Sequence, residues 1–321
     1  MRAAPAWTLL LAFACDRAPL ASGSSAASAR SPTPRASVVS VGSAADAPLT
    51  CAKDPSYPTM WRLAEASAAV EVALRPGERA ILALGDSDNH GDGMIWPLSP
   101  PGPLRPVKLE LDSLASDDIE GAAWAGGHLF TLTSSGAVRR YTPSADGTLV
   151  RDRSAYPIGP ASFLCDSLFD GNCGKNFEGL CLRPATSTAR CAGYAASKAD
   201  DALYCVNFRG DALVIDPRVA PVKLALALQA LSDCAFGTAG GPAEETLVVT
   251  TNIYGGSRTY VVDEVTGALS LILVPGLLNN EAVVVDRDGA LYEFMDANTS
   301  VSPSLRATCT GWSLTKPRGA L

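Results

Sequence analysis

The chain has 321 residues, a formal net charge of −7 and a pI near 4.9. With 26 Lys and Arg against 33 Asp and Glu, and no cluster of basic residues, it offers no footprint for a nucleic-acid backbone and no polybasic membrane patch. Apolar residues make up 47% of the chain, ample for a core, yet no run after the N-terminus approaches the roughly 20 residues of a spanning helix.

The first element reads as an export signal. Arg2 precedes a short apolar run over residues 6–14, and Ala14 offers a small residue before Cys15. Cys15 after Leu11-Ala12-Phe13-Ala14 resembles a bacterial lipobox, with Phe13 bulky and Ala12 where Leu is usual. On this reading residues 1–14 are a signal peptide. Lipidation of Cys15 then anchors the protein in the lipid bilayer of a bacterial cell envelope, facing periplasm or cell surface. The alternative is an ordinary signal peptide cut after Ala21 or Ala27.

Nine cysteines support the anchor: lipidation of Cys15 leaves Cys51, Cys165, Cys173, Cys181, Cys191, Cys205, Cys234 and Cys309. Eight cysteines can form four disulfides in an oxidising compartment. Zinc is disfavoured, because no C-x-x-C exists and His90 and His128 are the two histidines. Cys165–Cys173 is the simplest local bridge, and Cys51–Cys309 would tie the ends of the domain together. Residues 16–50, rich in Ala, Ser, Pro and Arg, read as a tether that cannot bury a core. The folded domain is expected over residues 51–316, with a tail over 317–321.

From residue 65 onward, short β-like runs alternate with turn residues and show little helical period. Units aligned on Glu120, Glu178, Asp233 and Glu281 recur about every 50 residues, with an earlier degenerate copy around Val70. A four-stranded unit of that length cannot cover both its faces alone. The pattern predicts an all-β, disulfide-braced β-propeller of five or six four-stranded blades. A β-sandwich or barrel is the alternative, with shorter and less regular turn spacing.

Asp118-Ile119-Glu120-Gly121-Ala122-Ala123-Trp124 followed by Leu129-Phe130-Thr131-Leu132-Thr133 resembles the blade motif of phytase-like (esterase-like activity of phytase) propellers. Asn176-Phe177-Glu178-Gly179-Leu180 and Asn280-Glu281-Ala282 repeat it. The senescence-marker/gluconolactonase-type propellers have similar acidic strand starts. The resemblance covers roughly residues 65–300 and implies a propeller, with calcium-dependent hydrolysis as one family activity.

Placed at the starts of innermost strands, Glu120, Glu178, Asp233 and Glu281 should ring one mouth of the central channel. The polar loops between second and third strands should surround the same mouth. These loops are expected to bring Asp86, Asp88 and His90, then Arg209, then Asn252 and Tyr254, and last Asp296. Converging carboxylates repel unless a cation relieves them, and Ca²⁺, which takes oxygen ligands, is the expected ion. Asp86, Asp88, Glu120, Glu178, Asp233 and Glu281 are therefore candidate metal ligands. The alternative is that these acids accept backbone amides and fix blade register. The loop over residues 86–92 has calcium-loop composition but lacks EF-hand spacing, since Pro97 stands where the bidentate Glu belongs.

His90 is a candidate acid or base. Arg209, Asn252, Tyr254 and Asp296 are candidate ligand-binding residues, whereas His128 is expected on the opposite face. No G-x-S-x-G, Walker-A, H-E-x-x-H or strand-linked G-x-G-x-x-G motif is present. Two functions follow: a lipoprotein propeller that binds a small molecule or protein partner at its loop-rich face, or a calcium-dependent hydrolase of phosphoesters or lactones.

Overall fold

The computed structural model describes residues 49–312 except 185–186, 228, 239, 253–255, 273, 275–277 and 298. Tyr254 and the Cys15 anchor lie outside the described residues. No described helix is long and apolar enough to cross a membrane.

The strands form five antiparallel sheets, each a propeller blade. Blade 1 runs from its inner strand Ala66–Val72 outward through Arg79–Gly85, Asp92–Ser99 and Arg105–Lys108. Blade 2 comprises Ile119–Ala125, His128–Thr133, Ala137–Pro143 and Leu149–Pro157. Blade 3 comprises Phe177–Leu182, Gly193–Ser197, Ala202–Arg209 and Ala212–Ile215, with Val222–Lys223 added beside its third strand. Blade 4 comprises Ala230–Phe236, Leu247–Asn252, Arg258–Val262 and Leu269–Ile272.

Blade 5 takes its first three strands, Asn280–Val285, Ala290–Met295 and Ser302–Thr310, from the C-terminus and its outer strand, Thr50–Lys53, from the N-terminus. The N-terminal strand therefore closes the fifth blade, and among the described residues no sixth is built. The inner strands pack in a closed cycle, each against the next and the fifth against the first.

One apolar cluster fills each gap between blades. Leu82 and Ile95 of blade 1 meet Ile119 and Tyr141 of blade 2, and Phe130 and Leu132 meet Leu180 and Leu213 of blade 3. Tyr194 and Leu203 meet Leu231 and Val249 of blade 4, and Val248 meets Val283 and Leu291 of blade 5. Tyr292 and Phe294 then meet Ile81 and Trp61, completing the ring. Burial at roughly 25 cal/mol per Å² of apolar surface drives this closure, because an isolated blade would leave both faces wet.

Glycine sets how closely the inner strands approach. A Cβ at Gly121 would stand 2.6 Å from the Leu180 amide nitrogen, and one at Gly179 would stand 2.8 Å from the Asp233 Cα. Both follow an inner-strand glutamate, so the repeated Glu-Gly pair combines a mouth-facing acid with a residue that admits the neighbouring blade.

Four disulfides are present. Cys165–Cys173 braces a loop before blade 3, Cys191–Cys205 lies within blade 3, and Cys181–Cys234 links the inner strands of blades 3 and 4. Cys51–Cys309 joins residues that face each other across the closing strand pair. Arg306 adds an ion pair to Asp54 at 2.5 Å beside the same seam. Replacing Cys51 and Cys309 together by Ala is expected to lower stability by about 2–5 kcal/mol. Chemical denaturation should show this, with blades 1 to 4 keeping their far-ultraviolet β signal at low denaturant.

Candidate functional site: an acidic mouth divided by a lysine

Each inner strand begins with a β-bulge at the same end of the propeller, at Ser67, Glu120, Glu178, Ser232 and Glu281. A bulge leaves one residue outside the ladder and re-aims its side chain. In blades 1 and 4 that residue is a serine, and its hydroxyl donates to the next blade: Ser67 to the Ile119 carbonyl at 2.6 Å, Ser232 to the Asn280 carbonyl at 2.8 Å. In the other three blades it is glutamate.

Asp233 stands one residue past this position. Its Oδ1 accepts the Cys234 amide and its Oδ2 accepts the Val283 amide of blade 5, at 2.7 and 2.8 Å. Buried at 2% exposure, it stitches blade 4 to blade 5 rather than joining the mouth cluster. The alignment by acid type shifted blade 4 by one residue, because a serine there does the inter-blade bonding.

The tightest group is Asp86, Asp118 and Glu120, whose ligand oxygens lie within 4.8 Å of one another. Asp86 opens the loop after the second strand of blade 1, while Asp118 and Glu120 flank Ile119 at the entry to blade 2. Ser134 donates its hydroxyl to Asp118 Oδ2, holding one carboxylate in place. Burial, with a hydrogen bond shared with Asp118, pushes the Asp86 carboxyl up to about 8. Glu120 is raised well above its ordinary range by burial first, then by the charges of Glu178 and Asp86.

The other half of the mouth is organised differently. Lys198, the first residue after the second strand of blade 3, donates its Nζ to Glu178 Oε2 at 3.0 Å. Glu281 takes the Asn252 side-chain amide on Oε1, and burial beside Glu178 pushes it up to about 8. Asp296 lies close enough to raise Glu281, Glu65 and Asp86 through its charge.

Several expected residues fall outside this constellation. Asp88 is exposed on the blade 1 loop and stands outside the tight triad. His90, on the same loop, has a 75% exposed side chain with its Nδ1 2.8 Å from Asp117 Oδ2, so it faces solvent and not the triad. Arg209 requires correction: it ends the third strand of blade 3 and leads into the turn to the fourth. Gly193–Ser197 is the second strand of blade 3, so the turn at Arg209 joins the third and fourth strands and lies on the face opposite the mouth. Near that turn, a cleft of about 540 Å³ gathers His128, Phe208 and Asp211.

Asp118 and Lys198 are site residues that sequence reasoning missed. Asp118 was visible two residues before Glu120. Lys198 carried no signal until the short strand before it was recognised.

No protein-family model and no curated protein matches the chain. Among solved structures it is similar to Myxococcus xanthus glutaminyl cyclase (16% identity, 82% of this chain and 98% of that one, TM-score 0.46). It is also similar to an oxidoreductase from Thermus thermophilus described as a glucose dehydrogenase (14% identity, 81% and 99%, TM-score 0.45). A Bacteroides uniformis protein described as a 6-phosphogluconolactonase is a third (14% identity, 70% and 63%, TM-score 0.39). The propeller assignment rests on this chain's own strand pairing, and these likenesses assign no activity.

The raised acids fix the sign of the pH dependence. A carboxyl raised in the fold contributes stability below its unfolded value, about 4, and loses it as pH rises through its folded value, about 8 for Asp86 and Glu281. The metal-free protein should therefore melt at progressively lower temperature from pH 5 to pH 9, as followed by calorimetry. Substituting Asp86→Asn and Glu281→Gln should flatten that slope.

Proposed function

We propose that the protein is an exported, calcium-binding propeller that holds its ligand at the acidic mouth. One observation carries this reading: three carboxylates from two blades gather within 4.8 Å, and among the described residues no basic side chain bonds to them. Three anionic oxygens at that spacing suit a hard cation that accepts oxygen donors. Lys198 serves the Glu178 side of the mouth, which leaves the triad as the place for the ion. Four disulfides fit an oxidising compartment, and the acyl anchor at Cys15 with its tether would place the propeller at a bacterial membrane surface.

Calcium titration of the purified protein at pH 8 should show one site and a rise in melting temperature, with little effect at pH 5 where Asp86 and Glu120 hold their protons. Asp86→Asn with Glu120→Gln should weaken binding by about tenfold or more. Unchanged melting with and without calcium at pH 8 would sink the metal reading.

Glu281 supports a second reading, hydrolysis of the phytase-like or gluconolactonase type. A carboxyl held near 8 can take or give a proton close to neutral pH. Chelator-sensitive turnover of a phosphoester or lactone, lost in Glu281→Gln, is its expected signature. A full screen without turnover would retire it.

A further inference from the structure

Beyond the triad, the mouth gathers three carboxyl groups around the single Lys198 ammonium. Glu178, Glu281 and Asp296 all act on the Lys198 ammonium or are acted on by it. Three carboxylates, when ionised, face one ammonium. Lys198 keeps a 31% exposed side chain, so this half stays open to solvent.

Its unsatisfied atoms are of one kind. Glu178 Oε1 has no hydrogen-bond partner although the side chain is 3% exposed and its other oxygen is fixed by Lys198. Asp296 Oδ1 also has no partner, and neither have Asn176 Oδ1 and Asn280 Oδ1 on the residues that lead into blades 3 and 5. All four are acceptors. A buried acceptor left unmade costs about 1–3 kcal/mol, so this group calls for a donor-rich occupant. An anion would add further acceptors and meet repulsion. A second divalent ion would meet the Lys198 charge at short range. An ammonium carries three N–H donors and a single charge, and the 3.0 Å bond from Lys198 to Glu178 shows that the subsite accepts that geometry.

We propose that Glu178, Glu281 and Asp296 form a subsite for the primary ammonium of a ligand, so that the propeller is a receptor for an organic amine. The proposal rests on the reading of the triad as the metal site, which leaves this half for the amine. The Cys165–Cys173 loop carries Phe169, which is 58% exposed. The same loop approaches the mouth at Gly171, where a Cβ would stand 3.0 Å from Asp118 Oδ2.

Calorimetric titration at saturating calcium tests this with n-butylamine, putrescine, glycylglycine amide and its N-acetylated form, with n-butanol as the uncharged control. Binding of a free amine or of the unblocked dipeptide, without the acetylated form or butanol, is expected, and the two arms distinguish a small amine from a peptide amino terminus. Glu178→Gln should weaken amine binding about tenfold and Asp296→Asn several-fold, with calcium affinity within about twofold of the parent. Asp296→Asn decides the matter if the buried Glu178 variant fails to fold. Asp86→Asn with Glu120→Gln should lose calcium and keep the amine. Amine binding without calcium binding in the parent protein would strike the metal reading alone. Absence of amine binding, or displacement of the amine by one equivalent of calcium, would overturn the separate amine subsite.

Discussion

Closure of five apolar interfaces around one axis is the constraint on which the rest of the structure depends. Each blade has two faces to bury, and only a ring gives every face a partner. Bringing the inner strands together requires glycine where backbones nearly touch, as at Gly121 and Gly179. The same convergence presses inner-strand glutamates from blades 2, 3 and 5 toward a shared mouth. Burial and mutual repulsion then raise their proton affinity, so the electrostatics of the site follow from hydrophobic closure.

The ring divides one structural position between two tasks. Ser67 and Ser232 use it to bond the next blade, while Glu120, Glu178 and Glu281 use it to line the mouth. Asp233 performs a related stitching role from the adjacent position, with both oxygens engaged by amides. The alternative that repeated acids serve the repeat therefore describes Asp233 well. Asp86 also takes an amide, that of its neighbour Ser87, while sharing a cluster with Asp118 and Glu120. Lys198 then breaks the remaining symmetry by serving Glu178.

The blades were legible because each repeat must present the same apolar faces to its neighbours, and that demand leaves a period in the chain. Two of the four disulfides, Cys51–Cys309 and Cys165–Cys173, were also legible, one from its place at the two ends and one from its short loop. Arg209 was misplaced because Gly193–Ser197, rich in small residues, gives a weak strand signal, and one missed strand moves the following turn to the other face. Lys198 was overlooked for the same reason.

By itself the sequence determined an all-β repeat, the cysteines available to brace it and the acids carried near four of the inner-strand entries, since these depend on local pattern and composition. Only the tertiary structure decided that there are five blades, that Asp118 joins Asp86 and Glu120, that Asp233 is spent on amides, and that Lys198 divides the mouth. Those outcomes depend on distances between residues tens of positions apart, fixed by how the inner strands meet around the axis, and a bulge or an unnoticed strand changes them without altering the repeat.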